Sequence, residues 1–245
     1  KLPFMFYKNL TITPQNFTTS ANWHENLEIQ FCLDGDGIVL LDGKEYYITA
    51  KDIIVANSNV IHHMNTKSMV KYSCIIIDTA FCEQADISPS QLQFDSFIKS
   101  KKLFDLFKQF NESFSDTENS CRTAALRKLI LEMLIELRLN HTVSVNNEIT
   151  QNHSYERVKN AIKIIREEYN KKLTLEYIAK QVFTDKFTLS KEFKRFTKMT
   201  VVEYINNFRC KKASELIGDG LTVNDAARKC GFNNMSFFTK TFKNL

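Results

Sequence analysis

Two stretches in the C-terminal half carry residue types suited to nucleic acid. From Asp225 to Leu245 the chain reads DAARKCGFNNMSFFTKTFKNL. The pattern predicts a short helix to Cys230, a turn through Gly231 and Phe232, and a second helix starting near Asn234. Asn234 supplies an N-cap oxygen, and Gly231 tolerates the tight turn. Phe238 and Phe242 share one helical face, with Ser236, Thr239, Lys240 and Lys243 on or beside the other. Hydroxyls and ammonium groups on such a helix suit base edges and phosphates in a major groove. A plain helical hairpin with a solvated lysine face has the same local pattern.

The pattern recurs in LTLEYIAKQVFTDKFTLSKEFKRF. Leu175, Ile178, Ala179 and Val182 predict a first helix, Asp185 an N-cap, and Leu189, Phe193 and Phe196 the buried face of a second. Ala179 aligns with Ala227 and Val182 with Cys230, and then Asp185 with Asn234, Leu189 with Phe238, and Phe193-Lys194 with Phe242-Lys243. The offset is 48 before the turn and 49 after it, so the second copy has one extra turn residue. Val201 to Ile217 reads as one connecting helix, ended by Gly218-Asp219-Gly220. Thr222, with Asp225 three residues on, opens the next helix in a box-like cap.

The elements that must carry these units follow from composition and charge. The chain has 245 residues, enough for two domains with separate cores. From Ser154 onward there are 19 Lys+Arg against 10 Asp+Glu, a net of +9; before it, 14 against 18 leave −4. A basic half beside an acidic half suggests a polyanion-binding module joined to something else. No apolar run approaches the ~18 residues of a membrane span, and no signal peptide is visible. Six cysteines (Cys32, Cys74, Cys82, Cys121, Cys210, Cys230) stand apart in apolar surroundings, which favours free thiols in a reducing cytoplasm. The chain opens on Lys1 rather than Met and stops at Leu245 as a helix finishes, leaving both ends open to trimming.

To about Asp86 the pattern is strand-like. Leu27–Leu33, Ile38–Leu41, Glu45–Thr49, Ile53–Ala56 and Val70–Ile77 alternate with turn signals at Asp34-Gly35-Asp36-Gly37, Asp42-Gly43-Lys44 and Asn57-Ser58-Asn59. Short strands at this spacing predict a barrel or a two-sheet jelly roll. Phe94 to Phe114 reads as helical, with Phe94, Phe97, Phe104, Phe107, Phe110 and Phe114 recurring mostly at three- and four-residue spacings. Arg122 to Leu139 predicts an amphipathic helix whose stripe of Leu126, Leu129, Ile130, Met133, Leu134 and Leu137 packs on a core or a partner. His141 to His153 is polar and reads as a linker. Tyr155 to Tyr169 is amphipathic through Val158, Ile162 and Ile165.

Residues 23–63, WHENLEIQFCLDGDGIVLLDGKEYYITAKDIIVANSNVIHH, resemble the small cupin barrel that precedes the DNA-binding part of many AraC-family regulators. The C-terminal half resembles that family's DNA-binding domain through Ala179, Leu189, Phe193, Lys194, Arg209 and Ala213, and then Ala227, Gly231, Phe232, Ser236, Phe238, Phe242 and Lys243. Two departures stand out: the family's Gly-x-Thr-Pro tail is absent because the chain stops, and Phe183-Thr184 occupies the first turn where a small aliphatic pair is usual. The resemblance implies an α+β multidomain chain. A cupin-like effector barrel would span 1–86, a helical packing or dimerisation segment 87–140, the linker 141–153 and the DNA-binding domain 154–245. Its helix-turn-helix units would be 174–196 and 222–243.

The implied function is a sequence-specific transcriptional regulator, not an enzyme, acting as a cytoplasmic homodimer on double-stranded promoter DNA, with RNA polymerase as a partner if it activates. A rigid connecting helix would set the reading helices roughly 34 Å apart, one DNA turn. Lys186, Phe187, Ser190 and Lys191 face outward in the first unit by position, as do Met235, Ser236, Thr239 and Lys240 in the second. Lys191 and Lys240 suit guanine, Phe187 and Met235 thymine methyls, and Lys194 and Lys243 phosphates. A small organic effector, a sugar or a fatty acid, is expected in the barrel against Trp23, His24, Glu28, Phe31, Tyr47 and His62. Metal-binding cupins use a His-x-His pair, a Glu and a later His. Asn26 stands where the second His would fall, so no metal or other cofactor is expected. The other reading is a metal-dependent cupin enzyme with an accessory helical domain.

Overall fold

The computed structural model describes residues 2–14, 21–143 and 153–243. The N-terminal half is organised on one long strand, β2 (Leu27–Leu41), flanked by β1 (Phe4–Ile12), β3 (Lys44–Thr49), β4 (Ile53–Ala56), β5 (His62–Asn65) and β6 (Val70–Ile77). The antiparallel order is β1-β6-β2-β4-β8, where β8 is Phe97–Ile98, and β3 and β5 both pair with the distal part of β2. The first part of β2 pairs with β4 and β6 (Ile29 opposite Val55 and Ile75), so the strand passes from one layer of the barrel to the other.

That continuity corrects the turn expected at Asp34-Gly35-Asp36-Gly37. The register with β6 shifts between Cys32 and Asp34, and Gly35 adopts φ +77° beside Met69. A Cβ there would come within 2.0 Å of the Met69 carbonyl oxygen. The glycine therefore serves a bulge that bends the strand without ending it.

Side chains on β2 alternate with its pleat. Leu27, Ile29 and Phe31 are buried in the cluster beneath the helices, while Glu28 and Gln30 point to the barrel interior. The helices over that outer face are α2 (Lys101–Ser115) and α3 (Arg122–Asn140), with the short α1 (Thr79–Glu83) nearby. The expected stripe of α3 is buried there in full, from Leu126 to Leu137. Each such side chain contributes roughly 1.5–3 kcal/mol of gross burial energy.

The helix expected from Phe94 begins later, at Lys101, capped by the Ser100 hydroxyl. Phe94 lies in β7 (Gln93–Phe94) and Phe97 in β8, held by pairing with β9 (Thr142–Val143) and β4 respectively. The linker expected over 141–153 thus starts with a paired strand; residues 144–152 lie outside the described residues.

The C-terminal half is helical: α4 (His153–Glu168), α5 (Leu175–Gln181), α6 (Lys186–Thr197), α7 (Val201–Gly218), α8 (Val223–Lys229) and α9 (Met235–Lys243). Two separate cores form. One gathers Ile178, Leu189 and Phe193 with Val158 and Ile162 of α4; the other gathers Ala226, Ala227, Cys230, Phe232 and Phe238 with Cys210 and Ala213 of α7. Among the described residues no helix is long and apolar enough to cross a membrane.

Candidate functional site: reading helices and an interdomain cavity

Local chemistry builds both helix pairs. Asp185 accepts from the amides of Phe187 (2.9 Å) and Thr188 (3.0 Å) and opens α6. Asn234 accepts from the Phe237 amide (2.9 Å) and opens α9. Thr222 accepts from the Asp225 amide at α8, and Thr200 and Glu203 form a reciprocal capping box on α7. The turn before α9 is one residue longer than that before α6, as the shifted repeat predicts. Gly231 holds φ +85°, and a Cβ there would sit 3.0 Å from the Asn170 carbonyl oxygen. Arg209 of α7 donates from Nε to Tyr169 O (2.6 Å) and from Nη2 to Lys171 O (2.7 Å). It thereby ties the end of α4 to the second unit.

On α6, Lys186, Phe187, Lys191 and Lys194 are exposed and Ser190 is half-buried. Lys186 is engaged by Glu176 at 2.9 Å. On α9, Ser236, Thr239, Lys240 and Lys243 are exposed. Met235 is half-buried and packs against the second core, which makes it a poorer candidate for a thymine methyl than its expected position suggested. The exposed aromatic beside it is Phe237, which sequence reasoning missed although it lies one residue from the buried Phe238. Phe183, in the first turn with φ +56°, is also fully exposed.

The expected effector residues separate into four places. His24, Glu28 and His62 converge. His24 Nε2 lies 2.9 Å and His62 Nε2 3.3 Å from Glu28 Oε2, and Gln30 Nε2 donates to Glu28 Oε1 at 2.7 Å. Burial works against the Glu28 charge, but the His62 charge and hydrogen bonds from His24, His62 and Gln30 outweigh it and hold the carboxyl well below its usual range. Burial likewise pulls His62 down, and the Glu28 charge more than reverses it. Burial and then the Glu28 charge push the Cys74 thiol well up.

Phe31 does not join this group. Three residues from Glu28 on a strand, it faces the other way and stacks on Phe107 of α2 at 4.3 Å. Tyr47 is 73% exposed on β3. Trp23 packs on α4, donating to Lys159 O (3.3 Å) with Lys159 Nζ 4.7 Å from its ring centre.

Glu28, Gln30 and His62 line a cavity of about 380 Å³ between the two halves. The barrel contributes Tyr7, Ile12, Met64, Tyr72 and Ile76 besides Glu28, Gln30 and His62; the helical half contributes Arg166, Tyr204, Phe208 and Lys211. The last four come from positions 90 or more residues further along the chain and left no signal in the sequence. Direct bonds fasten the rim. Tyr204 Oη donates to Ala21 O (2.6 Å), Arg166 bonds Asn22, and Asn22 exchanges both backbone bonds with His62. Lys198 pairs with Glu45 at 3.3 Å.

Comparison with known proteins agrees with this layout. The family model for the AraC-like ligand binding domain matches residues 11–156, and that for a helix-turn-helix domain matches residues 178–245. The Msm operon regulatory protein of Streptococcus mutans serotype c is 24% identical over 229 residues, covering 90% of this chain and 81% of that protein. The uncharacterized HTH-type transcriptional regulator YdeC of Bacillus subtilis is 22% identical over 267 residues, covering 99% and 88%. Among solved structures, ToxT from Vibrio cholerae bound to (E)-4-(8-methylnaphthalen-1-yl)but-3-enoic acid is similar with TM-score 0.53 at 13% identity, covering 98% and 94%. Wild-type ToxT bound to an unsaturated fatty acid gives TM-score 0.51 at 13% identity, covering 98% and 90%.

Proposed function

Because this chain belongs to the AraC family of transcriptional regulators, we propose that α6 and α9 read a promoter while a small anionic organic effector occupies the interdomain cavity and controls how the reading head is held. The N-terminal half is the ligand-binding part and the C-terminal half the helix-turn-helix DNA-binding part. Lys191 and Lys240 are the principal base contacts, since both are exposed and neither has an ion pair among the described residues. Phe187, Ser190, Ser236 and Thr239 supplement them. Lys186, Lys194 and Lys243 take phosphates, and Met235 makes at most an edge contact. RNA polymerase is the further partner if the protein activates. Two chains pair through the part of α3 left uncovered by the barrel, where Ile135 is 51% and Leu139 75% exposed. The setting is the cytoplasm.

One observation carries the effector reading: the cavity is walled by both halves, with Arg166 and Lys211 from the DNA-binding side and Ile12, Met64, Tyr72 and Ile76 beside the polar Glu28, Gln30 and His62 from the barrel. A carboxylate with an apolar body fits the two cations at one end and the Ile12, Met64, Tyr72 and Ile76 side chains along its body, and the volume falls in the usual range for small-ligand sites. ToxT, of similar fold, has been solved with two carboxylic acids. A ligand touching both walls changes the free energy of the domain contact only through its differential affinity for the closed and opened arrangements. A gel shift on the chain's own upstream DNA, titrated with medium- and long-chain carboxylic acids, tests this. Wild-type binding should respond to an acid, and Arg166→Ala with Lys211→Ala should bind DNA without responding. An unchanged response in that variant contradicts the assignment.

A further inference from the structure

We propose that Phe183 is a DNA contact of its own kind: its ring packs on a deoxyribose at the rim of the major groove that α6 enters, whatever the base sequence. The proposal rests on the reading of α6 as a recognition helix.

The matched turns of the two units single this residue out. In the first, the Phe183 amide donates to Lys180 O (3.3 Å) and the Thr184 amide to Ala179 O (3.0 Å). In the second, the Gly231 amide donates to Arg228 O and the Phe232 amide to Ala227 O, both at 3.0 Å. Every partner is displaced by 48 residues, so Phe183 stands where the second unit has Gly231. Both positions are left-handed, with φ +56° at Phe183 and +85° at Gly231. Glycine takes that conformation freely, whereas a bulky side chain is strained in it. In the second unit the surroundings demand glycine as well, since a Cβ would lie 3.0 Å from Asn170 O and 3.1 Å from Arg209 Nη2. The first turn is open instead, and Phe183 is 94% exposed. Neither burial nor backbone preference favours phenylalanine here. Strain of this kind concentrates where a residue serves a contact.

Position and charge identify what covers the ring. Phe183 lies two residues before Asp185, the N-cap of α6. In a helix-turn-helix pair the N-terminal residues of the second helix meet base edges, and the first helix crosses the backbone. The turn between them therefore runs along the sugar–phosphate rim. Lys180 in the last turn of α5 and Lys186 at the start of α6 stand exposed on either side of Phe183 in the chain. Lys186 pairs with Glu176 at 2.9 Å, and its Nζ lies 5.5 Å from the centre of the exposed Phe187 ring. The Asp185 carboxylate is engaged in the cap by the Phe187 and Thr188 amides and by the Thr188 hydroxyl (2.6 Å). An apolar ring flanked by cations matches a deoxyribose flanked by phosphates. Such a contact carries neither base information nor charge, so its loss has a signature unlike that of a lysine.

The test is fluorescence anisotropy of the full chain on its own upstream DNA and on a scrambled duplex, across salt concentration, beside a thermal melt. Phe183→Gly and Phe183→Asn both suit the left-handed turn, so they should melt at or above wild type. Their affinity should fall about tenfold on both duplexes alike, the worth of covering roughly 60 Å2 of apolar ring. The slope of log affinity against log salt should stay that of wild type. Phe183→Tyr, which keeps the aromatic face, should bind as wild type does. Undiminished affinity in the Gly and Asn variants overturns the contact alone and leaves the ring to a protein partner. A loss confined to the promoter overturns it by making Phe183 a base reader, and a lowered melt in both variants overturns it by giving the ring to the fold. A wild-type chain that binds neither duplex overturns the reading of α6 and the contact with it.

Discussion

The Tyr155 hydroxyl accepts the backbone N–H of Ile61 at 2.5 Å and donates to Asn59 O at 3.1 Å. Tyr155 belongs to α4 of the DNA-binding half, and Ile61 directly precedes β5, the strand that carries His62. One phenol thus joins the floor of the cavity to the first helix-turn-helix unit, whose core also takes in Ile61 itself. Tyr155→Phe keeps the ring, which packs on Phe196 at 5.2 Å, and deletes both bonds. The Ile61 amide then loses its partner, at a cost of about 1–3 kcal/mol in unfolding free energy. Denaturant titration should register that loss. A gel shift should show DNA binding that depends less on the cavity's occupant.

Phe31 and Tyr47 should behave as the fold, and not as an effector site, dictates. Phe31→Ala removes a ring stacked on Phe107 in a closed core and should cost about 3–5 kcal/mol, read by thermal or chemical unfolding. Tyr47→Ala, on an exposed strand face, should change neither stability nor effector response beyond about 0.5 kcal/mol. Loss of effector binding in a folded Tyr47→Ala chain would return that residue to the site.

These two residues show where the sequence was legible and where it was not. The caps at Asp185, Asn234 and Thr222 and the turn at Gly231 rest on chemistry within a few residues, and the structure keeps each of them. Phe31 was misread despite an available signal: it stands an odd number of residues from Glu28 on a strand, so the two must face apart. The Asp-Gly-Asp-Gly run resembles a turn in composition, and only pairing to β6 on one side and β3 on the other makes it a bulge. Phe94 and Phe97 have helical spacing, but strand partners as distant as Thr142 claim them. Arg166 and Lys211 were beyond reach, because their role arises from docking two halves that the sequence describes separately.

Lys191→Ala and Lys240→Ala should each weaken operator binding by about 1–3 kcal/mol, roughly ten- to a hundredfold, with the thermal melt unchanged. Both side chains are exposed, so little folding energy depends on them. Fluorescence anisotropy on labelled promoter DNA measures the loss. Full retention of affinity in the Lys240 variant would mean that α9 is not the second reading helix.

The bridge from Arg157 of α4 to Glu192 of α6 sets a pH dependence. Arg157 donates to Glu192 from Nη2 (2.5 Å) and Nε (3.0 Å). The Arg157 hydrogen bonds hold the Glu192 carboxyl below its ordinary value, outweighing the opposing effect of burial. A depressed folded value means that the contribution is complete above the unfolded value of about 4.3 and is lost as pH falls through the folded one. Glu192→Gln should therefore melt below wild type at neutral pH, and the difference should close as pH drops below about 4. A gap that persists in acid would assign the effect to packing.

The central claim is that two matched helix pairs on a basic domain read promoter DNA. The affinity of the full chain for its own upstream DNA, followed across salt concentration against a scrambled duplex, tests it most directly. The account predicts affinity that falls steeply with salt and a preference for the promoter of about a thousandfold or more. Affinity insensitive to salt, or equal on both duplexes, would contradict it.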